Sequence, residues 1–318
     1  MLRDILLTIH SILKLILTPI IFLLSFLRLQ SVAGYPRRLL LKALASGPIP
    51  QHVAFVMDGN RRYARKFNQK VQQGHGEGYQ TLRRVLEVCL HLNIHCVSVF
   101  AFAIDNFKRP KEEVDALLNL AVDKLDELCQ HEDLLTQYNV RLNVIGRKEL
   151  FPTFVQDAVK RAEDLTRMNN GSILNLCMPY SSRDEITTAV ESCVREAVTE
   201  FTSKGFSGSE EASPMNITPE KITSRLMTTQ CGSPPQVDIL IRTSGVTRFS
   251  DYMLWQCNEN TQVHFVDAYW PEFGLLDFVP IILQYQRAVW SGRIIPKKRH
   301  VNGGTSWNGR RRVELKTR

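Results

Sequence analysis

The sequence predicts an α/β fold in which a mainly parallel central sheet of about six strands is flanked by helices. Short apolar runs typical of strands alternate along the chain with longer amphipathic patterns typical of helices. Alternation of this kind favours a parallel sheet with helices on both faces. A chain of 318 residues with 44% apolar content is long enough for one sizeable globular domain with appendages.

Individual elements can be placed along the chain. The predicted strands are residues 53–57, 96–102, 140–145, 172–177, 237–241 and 263–266. The clearest helix is predicted over residues 111–128, where Val114, Leu118 and Leu125 share one face. Pro110 stands just before it and acidic residues fill its first turn, so its start is well marked.

The N-terminal 34 residues predict a membrane-associated helix. Residues 15–27 carry no charge, but thirteen residues are short for a complete span of a bilayer. Including the flanks gives sufficient length, although Lys14 would then lie within the apolar layer. A helix that crosses the membrane and one that lies in its interface therefore both remain open.

The rest of the chain divides by composition. Residues 35–50 are predicted to be a linker, and residues 51–295 the globular domain. Within that domain, residues 202–219 are rich in Ser, Gly, Glu and Pro and predict a flexible loop. Residues 296–318 are basic and predict a disordered tail.

Charge and cysteine usage exclude several classes of function. The net charge of +8 is concentrated at the two ends of the chain, so the domain itself is not a basic surface for nucleic acid. The seven cysteines contain no CxxC pair and are widely scattered, which fits reduced core thiols better than disulfides or a zinc site.

One strand end carries the strongest chemical signal. In the run HVAFVMDGNRRY (52–63), Asp58 follows the predicted strand and lies in a turn, where Gly59 and Asn60 give the backbone conformational freedom. Arg61 and Arg62 come directly after this turn. A carboxylate beside paired guanidiniums at the end of a strand is suited to holding a polyanion together with a metal ion. The alternative is that Asp58 only caps the following helix.

A second strand end repeats that arrangement. The predicted strand 237–241 is followed by Arg242, and Arg248 and Ser250 lie close behind it. Two anion-binding strand ends in one chain predict two phosphorylated substrates. The glycines of Gly74-x-Gly76-x-Gly78 do not follow a strand, so a dinucleotide site is not predicted.

Five motifs occur in order along the chain: HVAFVMDGNRRYARK (52–66), GHGEGY (74–79), FAFAIDNFKRP (100–110), RTSGVTRFSDYMLWQ (242–256) and YWPEF (269–273). Together they resemble the cis-prenyltransferases, the undecaprenyl diphosphate synthase family. The chain is most similar to the eukaryotic dehydrodolichyl diphosphate synthases of the fungal type. That resemblance implies a parallel sheet flanked by helices, with a hydrophobic tunnel for the product.

The resemblance also implies a reaction. Members add isopentenyl diphosphate repeatedly to an allylic primer such as farnesyl diphosphate, with Mg²⁺, and form each new double bond in the cis configuration. The long polyprenyl diphosphate then serves dolichol synthesis and protein glycosylation.

Roles for individual residues follow from the same resemblance. Asp58 is expected to be the magnesium ligand and the central catalytic acid, and Asn106 to belong to the proton relay. The residues expected around the allylic diphosphate are Gly59, Asn60, Arg61, Arg62, Tyr63, His75 and Arg109. Those expected around isopentenyl diphosphate are Arg242, Arg248 and Ser250. For Tyr63, contact with isoprenyl groups and simple packing are equally fair interpretations.

The chain departs from the family pattern at three places. Ala103, where many members have Ser, removes a hydroxyl from the expected proton relay. The other two departures are gaps in the diphosphate site and predict a partner: a metal-binding Glu before the last strand has no clear counterpart near Thr261, although Glu259 lies close by, and the Arg-x-Gly ending of single-subunit members is not found. The expectation is therefore a heteromer with a Nogo-B-receptor-like accessory subunit, with a homodimer as the alternative, on membrane lipid.

The expected location is the cytosolic face of the endoplasmic reticulum membrane or lipid droplets. Two competing functions remain open at this point. One is a non-catalytic accessory subunit of the same fold, against which the retained Asp58 and arginines argue. The other is a membrane-tethered protein that uses its basic tail to bind anionic lipid or nucleic acid.

Overall fold

A computed structural model describes residues 34–128, 134–203 and 217–295. The predicted membrane-associated helix, except for its last residue, the basic tail and most of the predicted flexible loop lie outside these residues. No helix in the described ranges combines the length and the apolar character needed to cross a membrane.

Six strands form one sheet, which confirms the predicted fold class. Their bounds are β1 His52–Val56, β2 Cys96–Phe100, β3 Arg141–Ile145, β4 Ile173–Cys177, β5 Ile239–Arg242 and β6 Gln262–Phe265. The order across the sheet is β3-β4-β2-β1-β5-β6, and every neighbouring pair is parallel. Each strand lies within two residues of its predicted position, because buried strands of a parallel sheet are continuous apolar runs.

In the part of the chain that the structure describes, ten helices accompany the sheet. They are α1 Gly34–Ala45, α2 Asn60–Lys66, α3 Val71–His91, α4 Lys111–Leu128, α5 Leu134–Gln137, α6 Thr153–Thr166, α7 Ser182–Ser203, α8 Pro219–Arg225, α9 Met227–Gln230 and α10 Leu275–Trp290. Helix α4 has the predicted bounds. Its Val114, Leu118, Leu125 and Leu128 are buried on one face.

Helix α1 differs from the sequence prediction, which assigned residues 35–50 to a linker. Leu41 and Leu44 are 3% and 4% exposed and belong to the main core. The Arg37 guanidinium forms an ion pair with Glu87 of α3 at 3.1 Å. These tertiary contacts stabilise a short helix that its local sequence, with Pro36 in the first turn, did not mark clearly.

The predicted loop 202–219 is shorter at both ends than expected. Helix α7 extends through Ser203, and Thr218 caps α8 by accepting a hydrogen bond from the Lys221 backbone N–H. Residues 204–216 lie outside the described residues.

Both faces of β1 are buried, each in a different apolar cluster. Val53 and Phe55 point into the larger core, which α1, α3, α4, α6 and α10 cover. Ala54 and Val56 point to the opposite face, where the core includes Tyr180, Tyr252 and Met253. Because β1 is the inner strand between β2 and β5, this double burial fixes the position of the turn that follows it.

Strand β5 is fastened to β1 at both of its ends. At the start of β1, the Asp238 carboxylate accepts hydrogen bonds from the backbone N–H groups of Gln51 and His52, at 2.6 and 2.9 Å. At the other end, the Thr243 hydroxyl donates to the Asp58 carbonyl oxygen at 2.7 Å. The two strand ends that sequence analysis singled out are thereby held side by side.

Two glycines of the GHGEGY motif let α2 and α3 approach closely. A Cβ at Gly78 would lie 2.3 Å from Asn60 Oδ1, and one at Gly74 would lie 2.5 Å from the Asn60 carbonyl oxygen. Gly76 differs, because nothing lies within 4 Å of a Cβ placed there. Gly74 and Gly78 therefore serve the packing of α3 against α2.

We expect Gly74→Ala to lower the free energy of unfolding by about 1–3 kcal/mol, because the added methyl group overpacks the contact with the Asn60 backbone carbonyl oxygen on α2. Gly76→Ala is the matched control. It should raise the free energy of unfolding by roughly 0.5–1 kcal/mol, since alanine restricts the unfolded chain without a clash. Chemical denaturation of both variants measures the effect. Equal changes in the two variants would contradict this packing account.

Candidate active site

Eight of the twelve predicted site residues line one cavity at the carboxyl edge of the sheet, beyond β1, β2 and β5. The other four, which are not among the lining residues, are Gly59, Arg61, Arg62 and Tyr63. The cavity has a volume of about 680 Å³ and continues between α3 and α4. Ligands of open parallel sheets usually bind at this edge. The polar side of the lining includes Asp58, Asn60, His75, Asn106, Arg109, Arg242, Arg248 and Ser250.

Arg242 and Asp58 form the centre of the site. The Arg242 side chain is 4% exposed, and its Nη2 donates to Asp58 Oδ2 at 2.9 Å. Its Nη1 donates to the Arg248 carbonyl oxygen and to Ser250 Oγ. One guanidinium thus connects the end of β5, the turn after β1 and the loop that carries Arg248.

The pKa of the Asp58 carboxyl is lowered from its ordinary value. Burial alone would raise that pKa, but the hydrogen bond and the charge of Arg242 outweigh it, with help from the Arg62 charge and the Gly59 N–H. Asp58 is therefore ionised at neutral pH. Gly59, not Asp58, occupies the cap position of α2, with a φ of 107°, so the capping interpretation of Asp58 is not supported.

Arg62 is held by a residue that sequence analysis did not identify. Its Nη1 donates to the Ser244 carbonyl oxygen at 3.2 Å, and its Nη2 donates to Ser244 Oγ. Ser244 adopts a left-handed φ of 77°, which costs a residue other than glycine about 1 kcal/mol or more. The Arg62 guanidinium also lies 3.4 Å from Asp58 Oδ1 and over the Tyr269 ring.

Arg61 and Arg109 share one carboxylate. Glu113 Oε1 lies 3.5 Å from Arg61 Nη1 and 3.1 Å from Arg109 Nη1. A single anion between two guanidiniums leaves an excess of positive charge beside the cavity. This place therefore favours a further anion.

His75 lines the cavity on the α3 side. Its Nε2 is buried without a hydrogen-bond partner among the described residues. Burial lowers the pKa of His75 from 6.5 to about 4, and the nearby Arg109 charge acts in the same direction. The imidazole is neutral at physiological pH and faces the space where an anion would bind.

Asn106 and Tyr63 occupy different surroundings. Asn106 lies in a short 3₁₀ turn, lines the cavity, and accepts a hydrogen bond from the Ala103 N–H at 3.1 Å. The Tyr63 ring packs against Phe67 at 4.8 Å and is not among the residues that line the cavity. For Tyr63, the geometry favours the packing interpretation.

Other neighbours of the site lacked a clear signal in the sequence. The Thr243 hydroxyl accepts a hydrogen bond from the Asp58 backbone N–H and donates one to the Asp58 carbonyl oxygen. The backbone N–H of Trp270 donates to that same carbonyl oxygen at 3.0 Å. The only available hint was that these residues belong to the motifs RTSG and YWPEF. Glu259 accepts from Gln236 and does not line the cavity.

Few carboxylates are placed to hold a magnesium ion. No cluster of three or more His, Cys, Asp or Glu side chains suited to a metal occurs in the described ranges. Asp105 and Asp251 also line the cavity, but they pair with Lys108 and Arg183. Magnesium commonly binds through one or two carboxylates plus substrate phosphates, and Asp58 fits that pattern.

Comparison with known proteins gives consistent matches. A family model described as putative undecaprenyl diphosphate synthase matches residues 56–290. A dehydrodolichyl diphosphate synthase complex subunit from Schizosaccharomyces pombe is 41% identical, covering 78% of this chain and 89% of its own. Dehydrodolichyl diphosphate synthase 6 from Arabidopsis thaliana is 36% identical, with 81% and 90% covered.

A solved structure shares the fold. Lavandulyl diphosphate synthase from Lavandula x intermedia, in complex with dimethylallyl diphosphate, superposes with a TM-score of 0.67 at 29% identity. The match covers 74% of this chain and 95% of that one.

The lowered pKa of His75 predicts a pH dependence of stability. Between about pH 6.5 and pH 4 the unfolded chain binds a proton at this histidine and the folded protein does not, so stability falls as the pH falls through that range. We expect His75→Gln to reduce this loss by about 2–3 kcal/mol. Denaturant unfolding of both proteins at the two ends of the range provides the measurement. A variant as acid-sensitive as the wild type would refute the assignment.

Proposed function

The chain is a cis-prenyltransferase of the undecaprenyl diphosphate synthase family, and we propose that it lengthens farnesyl diphosphate by repeated addition of isopentenyl diphosphate. One observation carries the proposal. An ionised carboxylate and several arginines stand at the mouth of a cavity whose deeper walls are apolar. That arrangement matches a ligand with a charged diphosphate head and a hydrocarbon tail.

The hydrocarbon would lie between α3 and α4. The apolar walls there include Leu82, Phe102, Leu117, Leu118, Leu125 and Leu128. Burial of each isoprene unit against such side chains is favourable and non-directional, so the same walls accept a primer and a longer product.

Positive charge at the mouth would stabilise the leaving diphosphate. Ionisation of an allylic diphosphate places negative charge on the departing oxygens, and fixed guanidiniums lower the barrier most when they are already oriented. The Ser244 contacts with Arg62 and the Glu113 contacts with Arg61 and Arg109 provide that orientation. Gly59, Asn60 and His75 would complete the allylic site.

Arg242, Arg248 and Ser250 would hold isopentenyl diphosphate. Arg242 is already bonded to the Arg248 carbonyl oxygen and to Ser250 Oγ, so the three residues form one unit. Asn106 would position the atoms between which the proton of the condensation moves. Its amide is too weakly basic to remove that proton itself, so the proton would end on phosphate.

Asp58 would hold Mg²⁺ through its carboxylate, together with diphosphate oxygens. When bound, the ion would neutralise charge that develops on the leaving group. The family generally uses magnesium. The carboxylate must give up part of its pairing with Arg242 or Arg62 for that purpose, and its 32% exposure leaves it accessible.

We also propose that the enzyme acts in a complex on a membrane. The S. pombe relative is named a complex subunit, and the downstream Glu and the Arg-x-Gly ending are not found in this chain. A Nogo-B-receptor-like subunit would supply the missing anion donors. The location would be the cytosolic face of the endoplasmic reticulum or lipid droplets, and the product would serve dolichol synthesis.

A non-catalytic accessory subunit is the second candidate. The fold alone would permit it, because the same sheet and helices could serve assembly. The lowered pKa of Asp58 and its two arginine partners disfavour it, since an accessory subunit has no need for an ionised carboxylate beside an open apolar cavity.

Incorporation of labelled isopentenyl diphosphate into extractable lipid tests the function. The full chain should form long polyprenyl diphosphates from farnesyl diphosphate, strongly with a candidate accessory subunit and weakly alone. An accessory role predicts no incorporation unless another catalytic chain is present. Full activity of the purified chain alone would instead support the homodimer.

Asp58→Asn should reduce turnover by about a hundredfold or more, because it removes the charge of a main electrostatic element without changing its shape. Steady-state kinetics, with circular dichroism to establish folding, provide the measurement. Near-normal turnover in the folded variant would remove Asp58 from the mechanism.

Two arginine variants separate the substrates. Arg248→Ala should chiefly raise the KM for isopentenyl diphosphate, and Arg62→Ala should chiefly impair use of the allylic primer. Replacement of either by lysine should rescue poorly, because an ammonium lacks the planar fork of a guanidinium. Identical effects on both substrates would contradict two separate anion sites.

A further inference from the structure

One side chain in the wall of the apolar cavity is a lysine. Lys124 of α4 lines the cavity, yet 28% of its side chain is exposed to solvent. A residue that faces both the cavity and the solvent marks a place where the wall is one side chain thick. Lys124 lies eleven residues along α4 from Glu113 at the mouth, or about 16 Å of helix.

The Lys124 ammonium joins α4 to α3 through a cluster of charges. Its Nζ lies 2.5 Å from Glu127 Oε2 and 4.7 Å from the centre of the Tyr79 ring on α3. The other oxygen of Glu127 lies 3.1 Å from Arg83 Nη1, also on α3. We call Lys124, Glu127, Arg83 and Tyr79 the clasp.

The clasp suits the wall of a cavity for hydrocarbon. The four-carbon stem of Lys124 provides apolar surface, while its ammonium reaches the outer side, where Glu127 and solvent compensate its charge. Tyr79 lines the cavity beside it. Glu127 and Arg83 are not among the lining residues, so they act on the wall from outside.

We propose that the clasp determines product length by closing the seam between α3 and α4. The inference rests on the proposed function, because it concerns the product of that reaction. A cavity of about 680 Å³ is finite, and every condensation adds five carbons to the chain within it. Once the cavity is full, further growth requires the hydrocarbon to leave, and at Lys124 the lining of the cavity also reaches solvent.

Opening the seam has a physical cost that the clasp imposes. Hydrocarbon that passes Lys124 must separate the ammonium from Tyr79 and Glu127, or separate Glu127 from Arg83. Separated charges beside hydrocarbon are poorly solvated. Elongation past this point therefore competes with product release, and a weaker clasp yields longer products.

Two substitutions loosen the clasp in different ways. Lys124→Met keeps an unbranched apolar stem in the wall and removes the ammonium, so the cavity gains little room. Glu127→Gln removes the shared carboxylate charge without altering the lining. Lys148→Met is the matched control, because Lys148 pairs with Glu163 at 2.6 Å and does not line the cavity.

The experiment measures the lengths of polyprenyl products from the full chain, in membranes that also hold its accessory subunit, by mass spectrometry after dephosphorylation. We divide the amount of product longer than the wild-type median by the amount of shorter product, and this ratio should rise about threefold in both clasp variants. A change of this size is expected from the loss of one partly exposed ion pair. The control should retain the wild-type distribution. Because screening weakens exposed ion pairs, added salt should lengthen wild-type products more than those of Lys124→Met.

The possible outcomes distinguish a failure of the proposed function from a failure of the clasp proposal. If the wild type makes no polyprenyl product with its partner, the proposed function itself fails. If the wild type is active but both folded clasp variants give unchanged or shorter products, the clasp proposal alone is overturned. Loss of all product in the clasp variants, with the control active, would also overturn it, because the cluster would then be required for turnover and not for length.

Discussion

The guanidinium of Arg242 is almost fully buried, and the carboxylate of Asp58 makes that burial tolerable. A buried charge without a partner is strongly destabilising, so the Arg242 guanidinium depends on its acceptors, which are the Asp58 carboxylate, the Arg248 carbonyl oxygen and Ser250 Oγ. Their contact fixes the distance between the turn after β1 and the end of β5, which lie 184 residues apart in sequence. Through Arg248 and Ser250 the same guanidinium also holds the next loop. The rest of the site is arranged around this ion pair.

Strands β1 and β5 hold the Asp58–Arg242 ion pair in position. Val56 and Arg242 are direct neighbours in the sheet, and Asp238 and Thr243 fasten the two strands at opposite ends. Rigid strands thus carry the charged residues, while the helices α3 and α4 provide the apolar walls. Charge at the mouth and hydrocarbon below it are the two requirements of a diphosphate with an isoprenoid tail, and each comes from a different layer of the molecule.

Much of the fold could be predicted from the sequence, because strands buried on both faces are continuous apolar runs and α4 has a marked start. Helix α1 could not, since its stability comes from Leu41 and Leu44 packing on a distant core. At the site, Asp58 and the arginines stand out as unusual residues at strand ends. Ser244 and Glu113 do not, because their contacts with Arg62 and Arg61 exist only after distant segments meet. Lys124 gave no signal either, since a lysine on an amphipathic helix usually faces solvent.

The central claim is that one site holds a diphosphate at the β1 and β5 ends and a hydrocarbon between α3 and α4. A crystal structure of the complex with farnesyl thiodiphosphate, an analogue that does not ionise readily, tests it most directly. The account predicts the diphosphate beside Asn60, Arg61 and His75, with the farnesyl group against Leu118 and Leu125. A farnesyl group outside this cavity, or a diphosphate bound away from the ends of β1 and β5, would contradict it.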